Sequence, residues 1–376
     1  MLSYWELETF VNYDVIIVGA GITGLSAAVS ILEKQPDLNL LILERNLFPT
    51  GASTKNAGFS CFGSLTELLS DIDQMGAEAC VALVEQRWKG LQKLRSRFTD
   101  TELGFEPLGG YELIDKNQQN IMTEIVRMNK LLYPLFGEDV FTDVTERLDD
   151  FGFNSERFSG LISNPFEGQI HTGKTINSLW QLATRLGAKI ITGAEVQEIE
   201  GNQVIVETNK ESICFTGNKI VLCTNAFTSR FFPDLEMAPG RGQVMITYPI
   251  EALKFKGTFH IEEGYFYFRN VGDSVLIGGG RHLDFKGEET LENGIHPEIE
   301  KELVRILKEE ILPNQQFEIA QKWSGIMAFG PVKKPILKWV TSEILLAVRL
   351  GGMGMAIGSE LGELVSLEIE NQIKND

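Results

Sequence analysis

The sequence predicts an α/β fold with α+β character, in which a parallel sheet assembled from separate parts of the chain is interrupted by an inserted antiparallel sheet. Three observations predict it. Residues 14–44 read as strand, glycine-rich turn, helix and strand. From 241 to 281 the pattern changes to alternating strands, RGQVMITYP, GYFYFRN and SVLIGGGR, which is antiparallel patterning. A second glycine cluster, at 351–354, follows an apolar strand at 343–349 and opens a final helix from about 357.

The first stretch carries the chemistry. Val15, Ile16, Ile17 and Val18 form a short β-branched run suited to a strand buried on both faces. Gly19, Ala20, Gly21, Ile22, Thr23 and Gly24 follow, then Leu25, Ala28, Val29 and Leu32 at helical spacing. Gly19 allows the tight turn, Gly21 lets the backbone approach a pyrophosphate, and Gly24 lets helix and strand pack closely. The helix start offers free N–H groups to phosphates. A second apolar run, 39–43, ends at Glu44, about 20 residues past Gly24, where a carboxylate takes ribose hydroxyls. Glycine-rich turns also occur in nucleotide-free folds. Strand, glycines, helix, strand and terminal acid in register specify a dinucleotide, and the acid argues against NADP.

At 376 residues the chain suits two domains, or one large domain with insertions. Its 43% hydrophobic and 23% charged residues are ordinary for a water-exposed globular protein. A net charge of −18 with no basic cluster disfavours nucleic acid and anionic membrane surfaces as partners. Cys61, Cys80, Cys214 and Cys223 are scattered without a CxxC, and His171, His260, His282 and His296 lack metal-ligand spacing. No metal is therefore expected. No apolar run reaches the ~20 residues of a transmembrane helix. A strand beginning by residue 15 leaves no room for a cleaved leader, so the expected location is cytoplasmic.

Along the chain, a lead-in at 1–13 carries Tyr4 and Trp5. The polar loop at 45–64, containing GASTKNAGFSCFGS, is long enough to be functional. Helices are expected at 74–98, with Cys80, Val81, Val84, Trp88, Leu91 and Phe98 inward, and at 118–135, with Ile121, Ile125, Met128 and Leu132 inward. A helix at 174–186 with Gly187 as cap leads to a strand at 188–192. Strands at 204–208 and 212–215 flank Asn209-Lys210 as a hairpin, and another at 219–223 ends in Thr224-Asn225-Ala226. A charged-faced helix is expected at 297–312. The expected division is a nucleotide domain of 1–85, 156–232 and 323–376, with a substrate domain of 86–155 and 233–322.

The fingerprint admits FAD or NAD. The second glycine-rich turn and the antiparallel insertion favour FAD, a cofactor stretched across one domain with its ring at the domain interface. Here the chain resembles the FAD-dependent oxidoreductases of the D-amino-acid oxidase, glycine oxidase and sarcosine oxidase type, closest to the γ-glutamylputrescine oxidoreductase-like branch. The resemblance rests on Tyr4-Trp5, GAGITGLSAA with Glu44, GASTKNAG, residues 221–226, Arg241-Gly242-Gln243, YFYFRN with IGGGR, Trp323-Ser324-Gly325-Ile326-Met327, and GGMGMAIGSELG.

It implies a Rossmann-like FAD-binding domain with an inserted antiparallel-sheet substrate domain. Gly19, Gly21, Ile22, Thr23, Gly24, Glu44 and Arg45 would hold the ADP half; Ser53, Lys55, Asn56 and Ala57 would follow pyrophosphate and ring. Val196 would meet adenine, Thr224, Asn225 and Ala226 would lie beside the ADP half, and Gly325, Gly352, Met353, Gly354 and Met355 would border the flavin. Members that bind amino-acid carboxylates often carry an arginine shortly after Trp-x-Gly, where this chain has Met327. No cysteine follows Cys223, and Lys55 stands in the loop where other members tether flavin through a histidine, so noncovalent FAD is expected.

In a strand at 265–270, Tyr265, Tyr267 and Arg269 share one face, a substrate wall with phenols to orient and a guanidinium to clamp a carboxylate. Lys55 is placed to stabilise reduced flavin or assist oxygen reduction. His260 is a lone histidine near the tyrosines, His171 a cap for the helix at 174, and Arg281 and His282 rim residues. The expected reaction is oxidation of an amine or amino-acid C–N bond by hydride transfer from the α-carbon to flavin N5, with hydrolysis of the imine. An FAD-dependent 2-hydroxy-acid dehydrogenase and a flavin-binding module without turnover remain as alternatives.

Overall fold

The computed structural model describes residues 1–207 and 211–375. Among them are two eight-stranded sheets and a two-stranded pair. The first sheet is built around Asn12–Val18, which pairs in parallel with Leu40–Glu44 on one side and Ser212–Leu222 on the other. Lys189–Thr192 and Ile344–Val348 extend it in parallel, and Ile336–Trp339 adds an antiparallel edge. Leu40–Glu44 and Ile344–Val348 are buried throughout, as apolar runs in a doubly covered parallel sheet must be.

The helix Ile22–Lys34 is buried continuously from Ile22 to Leu32, against the sheet and the C-terminal helix Gly354–Asn375. Glu363 of that last helix pairs with Lys34 at 2.6 Å and with Lys93 of the helix Ala77–Arg97 at 2.9 Å, tying three helices together. Burial opposes its charge, but the two lysines and Ser30 outweigh burial and hold the carboxyl down at about 2. A depressed folded-state pKa gives stability that is full above the ordinary carboxyl range and is lost as pH falls towards 2. Glu363→Gln should therefore cost roughly 1–3 kcal/mol at pH 7, and the difference should shrink steadily below about pH 4.5 in denaturant titrations.

The second sheet runs in the order Ile319–Phe329, Ala238–Thr247, Ser274–Gly279, Phe266–Val271, Thr258–Ile261, Gly110–Asp115, Phe158–Asn164 and Thr142–Asp143. Its pairings are antiparallel except Thr258–Ile261 with Gly110–Asp115. One face is packed with phenylalanines; Phe259 and Phe268 stack at 4.8 Å and the helix Pro297–Ile306 closes the cluster. Ile319–Phe329 lies along Ala238–Thr247, so it crosses the expected domain boundary at 323, and Phe158–Asn164 joins this sheet rather than the first. Both strands find their partners far away in sequence.

Several expected elements shift. The helix expected at 74–98 is Ala77–Arg97, set off at Gly76, with a φ of +85°, from a preceding helix, Leu65–Met75, that was not expected. The one expected at 118–135 opens as a 3₁₀ segment, Lys116–Glu124, kinked at Gln118, and becomes α-helical over Ile125–Phe136. The polar loop contains a single helical turn, Ala52–Lys55. Tyr4 and Trp5 sit on an exposed helix, Tyr4–Phe10, started by a capping box of Ser3 and Glu6. His171 caps Thr172–Arg185 as expected, its Nδ1 accepting from the Lys174 amide at 3.2 Å. The strands Gln203–Glu207 and Ser212–Leu222 pair antiparallel; the turn expected at Asn209-Lys210 lies outside the described residues. No described helix is long and apolar enough to cross a membrane.

Candidate functional site

The carboxyl ends of the first sheet's strands and the open face of the second sheet enclose one elongated cavity of about 700 Å³. Its nucleotide half is built from the turn after Asn12–Val18. Gly19 takes a φ of +104°, which a side chain would strain. A Cβ at Gly24 would stand 2.0 Å from the Gly19 carbonyl oxygen, so only glycine lets this helix sit on its strand. The Ile22 amide at the helix start meets Ser53 Oγ at 3.0 Å, joining the turn to the loop at 51–58.

Glu44 is buried and held at the cavity edge. Its Oε2 accepts from the Ala20 amide at 3.1 Å and its Oε1 from the Asn46 amide at 3.1 Å. Arg45 lies over the Phe227 ring at 3.8 Å, and Val196 closes the same end. Asn225 adopts a φ of +48° and accepts the Arg349 amide, which pins the turn at 224–226. Thr23 Oγ1 is buried in this cradle with no partner among the described residues, a polar group that a phosphate oxygen would satisfy.

Towards the other half run Ser53, Lys55, Asn56 and Ala57, then Gly325, Met327, Gly352, Met353, Gly354 and Met355. The Lys55 carbonyl accepts from Trp323 Nε1 at 3.0 Å, and Lys55 Nζ donates to Asn293 Oδ1 at 3.3 Å. The 22-residue helix Gly354–Asn375 starts at the cavity wall, with its positive dipole end towards it. Of the residues expected around a dinucleotide, Gly24 and Ala226 lie outside the described lining: Gly24 packs helix on strand, and Ala226 packs with Ile326 and Ala328. The remaining ones line the cavity.

The model of the family described as DAO, FAD dependent oxidoreductase, matches residues 14–366. The chain belongs to this family of FAD-dependent oxidoreductases. Among its relatives, the bifunctional protein ThiO/ThiG of Synechocystis sp. (strain ATCC 27184 / PCC 6803 / Kazusa) is 28% identical over 244 residues, 62% of this chain and 32% of that protein. Monomeric sarcosine oxidase of Bacillus sp. (strain NS-129) is 24% identical over 388 residues, 94% of this chain and 92% of that protein. The crystal structure of L-proline dehydrogenase from P. horikoshii shares the fold with a TM-score of 0.75 at 17% identity, over 96% of this chain and 94% of that one. The cofactor is FAD, and the cradle around Gly19, Thr23, Glu44 and Val196 fits its ADP half.

The second-sheet half of the DAO-family cavity holds the groups that would meet a substrate. Tyr267 lies on Phe266–Val271, edge-on to Phe59 at 5.5 Å, and burial pushes its phenol up to about 12. Tyr265 stands just before that strand, after the turn at 262–264, and is partly exposed against His282 at 4.6 Å. Arg269 does not serve as the expected wall residue. It lies outside the described lining, buried behind Gly58, where it donates to the Ile170 carbonyl at 3.3 Å and burial pulls its pKa down to about 10. Arg281, by contrast, does line the cavity, half-buried between the rings of Phe329 at 3.9 Å and Phe285 at 4.6 Å. Among the described residues it makes no hydrogen bond or ion pair.

Sequence reasoning missed a charged cluster beside Tyr267. Glu67 accepts from Arg87 at 3.2 Å and from Lys333 at 3.1 Å, and Lys333 also reaches Asp71 at 2.7 Å. Glu67, Lys333 and His260 line the cavity. Arg87 and Asp71 are buried, whereas Lys333 keeps part of its side chain exposed.

Proposed function

We propose that this oxidoreductase oxidises the C–N bond of a small amine or amino acid. The observation that carries the reading is Arg281, an unpaired guanidinium set between two phenylalanine rings on the wall facing the cofactor cradle. Such a group binds a carboxylate well because its geometry is fixed before the ligand arrives. Tyr265 lies close to it, Tyr267 adds a second phenol to the same cavity, and the raised pKa of Tyr267 keeps that phenol a neutral donor. Ala57, Val244 and Leu276 pack as an apolar patch in the same half, which keeps water from the reacting carbon. Bound FAD supplies the two-electron acceptor for the substrate's C–H hydride. The start of the helix Gly354–Asn375 favours negative charge beside it.

The names of the relatives, sarcosine oxidase and proline dehydrogenase, support an amino-acid or secondary-amine substrate. Noncovalent FAD belongs to the same reading. Cys61 and Cys223 line the cavity, and burial pushes both thiols up, away from the thiolate needed for attachment. The net charge of −18 supports a small-molecule partner rather than nucleic acid. The four free cysteines support a reducing, cytoplasmic location.

The experiment that tests the reading is a panel of matched amino acids and 2-hydroxy acids, assayed for substrate-dependent carbonyl product. Carbonyl formed with one equivalent of ammonia or amine released supports it. Carbonyl formed from the hydroxy acid alone assigns the site to alcohol oxidation instead.

A further inference from the structure

Behind the main cavity lies a second chamber of about 10 Å³, lined by Glu112, Glu167, Asn164 and Ser64 among others. That volume suits a single water molecule with several polar partners. His260 lines both the small chamber and the main cavity. Its Nε2 is buried 3.8 Å from Glu167 Oε2, beyond direct hydrogen-bond reach, and has no partner among the described residues; Asn164 Nδ2 is likewise unpartnered. The opposite nitrogen, Nδ1, faces Gly264 of the main cavity, where a Cβ would stand 3.5 Å from it.

We propose that His260 carries a proton from the substrate's ammonium group in the main cavity to a water in the small chamber, backed by Glu167 and Glu112. The inference rests on the amine reading given above. In the step, an N–H bond of the ammonium breaks and its electron pair stays on nitrogen, leaving the neutral amine whose lone pair assists C–H cleavage. A new N–H bond forms at His260 Nδ1, and the proton on Nε2 passes to the water and carboxylate behind it. No electrons change hands in this step.

The surroundings suit the task. Glu167 approaches from the segment before Gly168–Gln169, Glu112 from Gly110–Asp115 and Glu67 from Leu65–Met75. Tyr267 stands across the strand pair and the Phe59 ring meets the imidazole edge-on at 5.2 Å. Glu67 is already paired with Arg87 and Lys333, whereas Glu112 is held by Ser64 and Thr66 without a cation. Burial works against an imidazolium, but the three carboxylates outweigh it, so the His260 pKa lies above the ordinary histidine value. The neutral, accepting form therefore appears as pH rises through that raised value.

The test follows flavin reduction anaerobically against pH, together with a histidine-ring NMR titration that needs no substrate. Wild type should show a rising limb at the pKa that NMR assigns to His260. His260→Gln should lose that limb and slow reduction by roughly 10²–10⁴-fold while keeping FAD content and melting temperature. Glu167→Gln should lower the His260 pKa and move the limb to lower pH. A limb that survives in His260→Gln, or a His260 resonance that Glu167→Gln leaves in place, overturns the relay alone. Wild-type flavin that no amine reduces at any pH overturns the amine reading and the relay with it.

Discussion

Arg281→Met will raise the KM for a carboxylate-bearing substrate by about 10–150-fold, the loss of one or two charge-assisted hydrogen bonds worth ~1.5–3 kcal/mol. The guanidinium is set between Phe329 and Phe285 and makes no direct ion pair among the described residues, Glu288 and Glu289 acting on it only through space, so a substrate carboxylate needs little reorganisation there. Methionine leaves an apolar side chain of similar length against the rings while removing the charge and the N–H donors. Because the clamp acts on ground state and transition state alike, KM should rise with kcat changed only slightly. The loss should shrink for an amine lacking the carboxylate, which steady-state kinetics on the two substrates measures. An equal change for both would mean that Arg281 packs the cavity without reading a carboxylate.

The second large effect concerns the cofactor cradle. Gly24→Ala places a methyl group where 2.0 Å separates it from the Gly19 carbonyl oxygen, with Gly19 itself in a turn at φ +104°. The atom it meets is backbone and cannot rotate away. The helix Ile22–Lys34 must lift from Asn12–Val18, and with it the Ile22 amide and the Ser53 contact at 3.0 Å. Overpacking of this kind costs typically about 1–3 kcal/mol in stability. The displaced amides should weaken FAD binding at least as much, giving protein purified largely without flavin. The ratio of flavin to protein absorbance and a titration with added FAD check this. A variant that retains full flavin would show that the helix accommodates a Cβ at Gly24.

The strand, turn, helix and strand at 14–44 were readable because their determinants are local. Within 14–44 each glycine answers a backbone need of its own neighbourhood, and the burial of Val15 through Val18 follows from their run of apolar side chains. The second-sheet half of the site depends on contacts distant in sequence. Strands such as Gly110–Asp115 and Phe158–Asn164 pair only with segments of the same inserted sheet and carry no signal that separates them from loops. Alternation correctly puts Tyr267 and Arg269 on one face of their strand. That face, however, runs under the loop at Gly58 and Ile170, so Arg269 is covered where Tyr267 is open to the cavity. Tyr265 leaves the pattern because Glu262, Glu263 and Gly264 all take positive φ before it. The approach of Glu67, Glu112 and Glu167 to His260 joins carboxylates from three separate segments, a convergence that only the folded chain displays.

The measurement that tests the central claim most directly is the visible spectrum of the purified protein, followed anaerobically as amines and amino acids are added. The account predicts a flavin spectrum that one such compound bleaches, with the protein-bound cofactor released intact by denaturation. Protein that takes up no flavin even with added FAD, or flavin that no amine or amino acid bleaches, would contradict it.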